Sequence, residues 1–376
     1  MNILKRELPF WIALCTAIGI YGTGFSIEHS QYPALFGLAL FVIILFCIFR
    51  VSLHADRLAE MLGEPYGTLI LTTAATLIEV AVMVAAVTHG ENNPTFIRDT
   101  IASTLFIILG GMMGLAILIG GIYHIEQSIN TNGANMYLGL LIPLALLTLV
   151  LPNFTTSTAG PTLAAKQEIF IGCISLALYG IFLFAQTKRY RNYFDDPFPF
   201  GANVSQAKAG GHSEVQALTA HETHTRRDVL IATLWLICSL VVVVLLIEKL
   251  AIVVDYGYEK LGFPEALIGT TVAVLVLAPE WLACIQAAKN NHLQRALNVA
   301  LGSGLATLSL SVPVMLFWVA LNGIHIELGL HPREIVLLLA CLWVAHVNLS
   351  TGRTNIMQGA VLFVLFVSAV FLVFNP

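Results

Sequence analysis

Two glutamates stand alone in apolar surroundings. Glu79 is the sole charged residue between Glu64 and Glu91, and Glu280 the sole one between Glu265 and Lys289. Each falls near the centre of an apolar run long enough to cross a bilayer. A carboxylate at the centre of a membrane helix costs about 2.5–3.5 kcal/mol on insertion scales, and helix formation requires nothing of the kind. The chemistry open to such a pair is binding of a cation or of protons at the bilayer midplane. The blander role is a carboxylate that ties one helix to its neighbour. Thr72, Thr73 and Thr76 precede Glu79, and Thr72, Thr76 and Glu79 are spaced to share one helical face. Pro279 directly precedes Glu280. A proline inside a helix frees the carbonyl four residues earlier, here Leu275, and can break the helix. A broken helix at the midplane would offer carbonyl oxygens as ligands. Hard oxygens suit calcium and sodium. The apolar runs hold no HExxH, no cysteine cluster and no histidine pair at i, i+4, so zinc chemistry has no support.

The elements that position these residues follow from composition. The chain has 376 residues, 57% hydrophobic and 11% charged, with mean hydropathy +0.84. Soluble domains carry about 25% charged residues. These values exclude a soluble enzyme, a secreted disulfide scaffold and a disordered chain. They define a polytopic membrane protein in contact with lipid. No basic patch with interleaved aromatics is present, so nucleic acid is not an expected partner. The six cysteines fall in separate apolar stretches without a CxxC spacing and read as buried small hydrophobes. A hydrocarbon core needs about 20 apolar residues per helix. Spans are expected at about 8–26, 34–53, 67–88, 100–123, 136–152, 168–187, 228–254, 265–288, 296–322, 334–349 and 356–374. The run near 8–26 lacks a signal-peptidase-like site and reads as a retained span. With the N-terminus in the cytoplasm, thirteen of the eighteen Lys and Arg lie on the cytoplasmic side. That arrangement places the C-terminus outside.

The long polar stretch 188–227 divides the chain. It separates an N-terminal extra helix (1–33) and a five-helix unit (34–187) from a second five-helix unit (228–376). An odd number of spans per unit forces opposite orientations, the condition for an inverted repeat. Gly67-Thr68, Glu79 and Ala85-Ala86 in the third span are echoed by Gly269-Thr270, Glu280 and Ala287-Ala288 in the eighth. The ninth span adds Asn298, Ser303, Thr307, Ser309 and Ser311 among small residues that also suit close helix packing. The fourth span carries Ser103, Thr104 and Gly110-Gly111 with the same two readings. His346 and Asn348 late in the tenth span suit either hydrogen-bonded packing or a proton relay.

The stretch Gly269–Pro313, with Glu280, Ala287-Ala288-Lys289 and Ala296-Leu297-Asn298-Val299-Ala300-Leu301-Gly302-Ser303, resembles the second signature repeat of the calcium/cation antiporter superfamily. Gly67–Glu79 resembles the first, and Arg98-Asp99-Thr100 the start of the following helix. Within the superfamily the chain is similar to the bacterial calcium/proton antiporters, also described as sodium-potassium/proton antiporters. The resemblance implies ten core helices in two inverted halves plus an extra N-terminal helix in a bacterial inner membrane. It implies cation binding between Glu79 and Glu280, and alternating access driven by competition between cation and protons. The chain departs from the family pattern at Ala75-Thr76 and Val276-Leu277, where Gly-Asn is common. It departs also at Trp281, where His is frequent, and at Gly110-Gly111, where Asn is frequent.

Two carboxylates at the midplane give a site charge that one calcium or two protons neutralise. An uncompensated pair is poorly solvated and self-repelling, so cation and protons displace one another. If neutralised forms alone switch access, one calcium exchanges for two protons. At about 1.36 kcal/mol per proton per pH unit, one unit then sustains roughly a hundredfold calcium gradient. The candidate cation and proton ligands are Glu79, Glu280, Thr72, Thr76, Asn298 and Ser303, with no resident cofactor; Ca2+, Na+ or K+ and H+ are the substrates. A passive channel could use the same glutamates as a filter. An intramembrane enzyme lacks its motifs. His212, His221 and His224 in the 188–227 connection read either as part of a solvated linker or as a pH or metal sensor. Oligomeric state is not set by the sequence.

Overall fold

The computed structural model describes residues 7–23, 33–62, 66–89, 94–195, 226–261, 264 and 266–375. These form eleven helices, one for each expected span. They are α1 (Leu8–Thr23), α2 (Pro33–Leu62), α3 (Tyr66–His89), α4 (Phe96–His124), α5 (Thr131–Phe154), α6 (Ala165–Arg189), α7 (Arg226–Leu261), α8 (Ala266–Lys289), α9 (Leu293–Asn322), α10 (Pro332–Ser350) and α11 (Ile356–Phe374). Nine are long and apolar enough to cross a membrane among the described residues. Leu8–Gly22 and Thr73–Val84 are shorter apolar stretches, in α1 and α3. His212, His221 and His224 lie outside the described residues.

Two helices occupy the middle of the bundle. The apolar windows of α4 and α9 are 72% and 67% buried, against 17% for α11. Most of the largest fully buried side chains, including Ile101, Leu105, Ile108 and Met113, come from α4. The outer helices turn Phe170, Ile181, Val336 and Trp343 outward, as lipid contact requires. A short antiparallel pair, β1 (Glu126–Ser128) with β2 (Arg353–Asn355), ties the connection after α4 to the one after α10.

Both central helices widen midway. Residues Ile107–Met112 of α4 and Thr307–Ser311 of α9 each form a π-helical stretch. Each is the third helix described within its stretch of sequence, 34–187 or 228–376. Such widenings frequently mark functional positions. The helix break that Pro279 could have caused does not occur. α8 runs continuously through the proline, and Leu275, which loses its partner there, is fully buried. The irregular backbone lies instead in the neighbouring helices.

The described part of α1 is clasped to α2 by charge. Glu7, just ahead of α1, accepts hydrogen bonds from Arg50 Nη2 at 2.5 Å and Nε at 3.1 Å. His54 Nε2 lies 3.1 Å from the same carboxylate, and its ring stacks on Trp235 of α7. All three charged or polar side chains are buried, so each needs the others.

Candidate functional site

Glu79 and Glu280 line one cavity of about 280 Å3 between α3, α5, α6, α8 and α9. Thr76, Asn298 and Ser303 line it with them, so five of the six expected ligands meet there. Helix α3 carries Thr72 as well, but its side chain lies outside the described residues. Glu79 is 6% exposed. Its two carboxylate oxygens lie 3.1 Å from the Thr307 hydroxyl, and Ser311 donates to Oε2. Both hydroxyls come from the π-helical stretch of α9. Positions four apart on α9 thus bear on one acceptor. In the sequence Thr307 and Ser311 had read equally well as packing residues.

Glu280 is held differently. The Ser303 hydroxyl faces its carboxyl, and Glu79 and Asp56 are the acidic groups it feels. Its Oε2 is buried and has no hydrogen-bond partner in the protein. Leaving such an acceptor unpaired costs about 1–3 kcal/mol, a cost that a proton or a cation removes. The equivalent π-helical stretch of α4 offers no hydroxyls: it reads Ile107-Ile108-Leu109-Gly110-Gly111-Met112. A Cβ on Gly111 would sit 3.2 Å from the Trp281 ring. The departures at Gly110-Gly111 and Trp281 are therefore one feature, an indole seated on a glycine backbone.

Asn298 contributes less than its side chain could. Its Nδ2 donates to Phe194 O at 2.6 Å, and its Oδ1 accepts from Gln294 at 2.9 Å. Asn348 is likewise engaged in packing, donating to Gln358 O. Tyr137, Gln186 and Arg295 also line the cavity. No spacing or composition signal had marked them. Gln186 donates to the Tyr137 hydroxyl at 3.0 Å. Among the described residues no three Cys, His, Asp or Glu side chains converge on a metal-sized point. A cation at this site would take its further oxygens from Thr76, Ser303 and Thr307. The cavity is far larger than one water needs, so an ion can enter with part of its hydration shell.

The cavity has a direction. It reaches from the glutamates to Asn298 and Arg295, at the start of α9. The far end of α9 lies with the start of α4, where Glu327 N donates to Pro94 O and Arg98 approaches Gly329 O. The cavity thus extends toward the end of the bundle that carries Tyr190–Asp195.

A helical membrane bundle with two mid-helix carboxylates in one hydroxyl-lined cavity is the architecture of an ion carrier. The chain belongs to the sodium/calcium exchanger protein family, whose model matches residues 32–188 and 231–375. It is 34% identical to the putative ionic transporter y4hA of Sinorhizobium fredii, over 96% of this chain and 95% of that protein. It is 34% identical to the sodium-potassium/proton antiporter ChaA of Escherichia coli, over 88% and 86%. The Ca2+/H+ antiporter ChaA of Bacillus subtilis is 22% identical over 95% and 96%. Among solved structures, native YfkE superposes with TM-score 0.71 at 20% identity, covering 98% of this chain and all of that one. The H+/Ca2+ exchanger CAX gives TM-score 0.69 at 13% identity, over 98% and 89%. These last two likenesses bear on the fold.

Proposed function

We propose that this protein is a secondary transporter, not an enzyme, exchanging an inorganic cation for protons across a bacterial inner membrane. Calcium, sodium and potassium are the candidate cations. The observation that carries the reading is the shared cavity of Glu79 and Glu280. Two carboxylates that must be neutralised at the midplane accept either protons or a cation, and each displaces the other. The unpaired Oε2 of Glu280 makes that carboxylate the readier of the two to exchange partners. Glu79, already holding two hydroxyls, gives the fixed side of the site.

Membership of an exchanger family supports coupled exchange over a passive pore, and the antiporter names of its relatives support protons as the counter-ion. The excess of Lys and Arg on the 188–227 side supports a cytoplasmic N-terminus and an external C-terminus. On that orientation the glutamate cavity opens inward. The echo of Gly67-Thr68, Glu79 and Ala85-Ala86 in Gly269-Thr270, Glu280 and Ala287-Ala288 supports the reading of 34–187 and 228–376 as inverted repeats.

The test is proton movement in reconstituted vesicles, with Ca2+, Na+ and K+ offered in turn. Antiport predicts proton flux opposite to the cation, driven by either gradient. Cation flux with no proton movement would leave a channel.

A further inference from the structure

A second space of about 40 Å3 lies between α4, α8, α10 and α11. Asp99, Ser103, Thr270, Arg333 and Glu334 are its polar wall residues; the others, Ile107 among them, are apolar. It sits at the end of the bundle where α4 and α10 begin, opposite the mouth of the glutamate cavity. At about 10–15 Å3 per enclosed water, it has room for a few waters at most and for no hydrated cation.

Its position along α8 is informative. Thr270 and Glu280 are ten residues apart, about 15 Å at 1.5 Å per residue. At the inner end stands Ile107, the first residue of the π-helical stretch of α4. Gly111 of that same stretch carries the Trp281 ring, next to Glu280. A largely apolar space with a few polar groups on its walls thus approaches the glutamates from the far face and stops at Ile107.

The outer part is closed by backbone contact. A Cβ on Gly269 would lie 2.7 Å from Thr100 N and 2.9 Å from Asp99 C, so α8 meets α4 as closely as a glycine allows. Beside it the hydroxyls of Ser103 and Thr270 are 2.8 Å apart. Thr270 donates to Ala266 O at 2.9 Å, so Ser103 is the donor between them. A single neutral bond of this kind is weak enough to be made and broken in each cycle. Asp99 is buried at the rim, accepting from Arg98 Nε at 2.8 Å and Thr95 at 2.9 Å.

We infer that this space is the closed entry route for hydrated inorganic cations and protons from the face opposite the glutamate cavity, with the Ser103–Thr270 contact over Gly269 as its gate. The inference rests on the antiporter reading. Opening it parts α4 from the start of α8 while Glu280 stays on the same helix.

The experiment is the full-length Ser103→Cys, Thr270→Cys double variant in vesicles. Thiols replacing hydroxyls this close are within reach of a disulfide. Under reductant the variant should move protons in response to cation. Oxidation should abolish exchange, and reductant should restore it. The wild type, with its six cysteines, and each single variant should be indifferent to the oxidant. Exchange that survives the cross-link overturns the gate. Should the double variant not fold, Thr270→Cys alone is labelled with a membrane-impermeant maleimide added to the far face. Labelling that rises during cation-driven cycling supports the route, and labelling absent under all conditions overturns it. Failure of the antiporter reading itself looks different: wild-type vesicles would then show no cation-driven proton movement at all.

Discussion

The Thr307 hydroxyl lies 3.1 Å from both carboxylate oxygens of Glu79, across 228 positions of sequence. Ser311, one turn further along α9, donates to the same group. The carboxylate is thus gripped by a neighbouring helix whose own hydrogen-bond ladder is widened at those residues. Thr307→Val should leave one buried acceptor short, at a cost of about 1–3 kcal/mol. The cation concentration for half-maximal exchange should rise by about tenfold, since 1.4 kcal/mol is one decade, and Thr307→Ser should restore it. Unchanged cation dependence in Thr307→Val would show that this contact is packing alone.

Glu280→Gln should abolish coupled exchange and leave the fold intact. The change keeps volume and removes the charge that alternates between cation and proton. Membrane insertion should improve, since a midplane charge costing about 2.5–3.5 kcal/mol is gone. Size-exclusion behaviour with vesicle proton flux checks both halves of the statement.

Glu79→Gln should be about as damaging as Glu280→Gln. The double variant should be little worse than either, because both remove one shared site. Strictly additive losses would instead make the two carboxylates separate stations.

The span plan was legible because hydropathy and charge placement are properties of composition along the chain. All eleven helices fall where apolar runs stand between polar ones. The glutamates were legible too, since a lone carboxylate at mid-span has few other uses. What faces them was not. Thr307 and Ser311 lie in a run of small and polar residues where every hydroxyl suits close packing. The π-helical stretch that turns these two onto Glu79 depends on tertiary contacts. Pro279 pointed to a possible break in α8, yet the helix passes through it, and Leu275 is buried and does not line the cavity. Gln186 and Tyr137 entered the site through their pairing across α5 and α6, which no local pattern encodes.

The buried Glu7–Arg50–His54 cluster should matter for stability and not for ion chemistry. Glu7→Ala leaves the Arg50 charge buried and uncompensated, a loss of about 3–5 kcal/mol. The melting temperature of the detergent-solubilised protein should fall, while properly folded protein should still exchange. A variant as stable as wild type would show that the clasp contributes nothing.

Deleting about residues 200–222 should leave basal exchange in place, because the sequence sets that stretch between the expected spans 168–187 and 228–254. If His212, His221 and His224 sense pH or metal, the pH profile of exchange should shift. A profile identical to wild type would leave the linker reading of this stretch.

The central claim is that cation and protons compete for one site built on Glu79 and Glu280. Proton release on adding cation to purified protein in weakly buffered detergent solution reports it directly. The account predicts release of protons on binding, two per calcium or one per sodium or potassium, lost in both Glu79→Gln and Glu280→Gln. Cation binding without proton release, or release unchanged in the two variants, would contradict it.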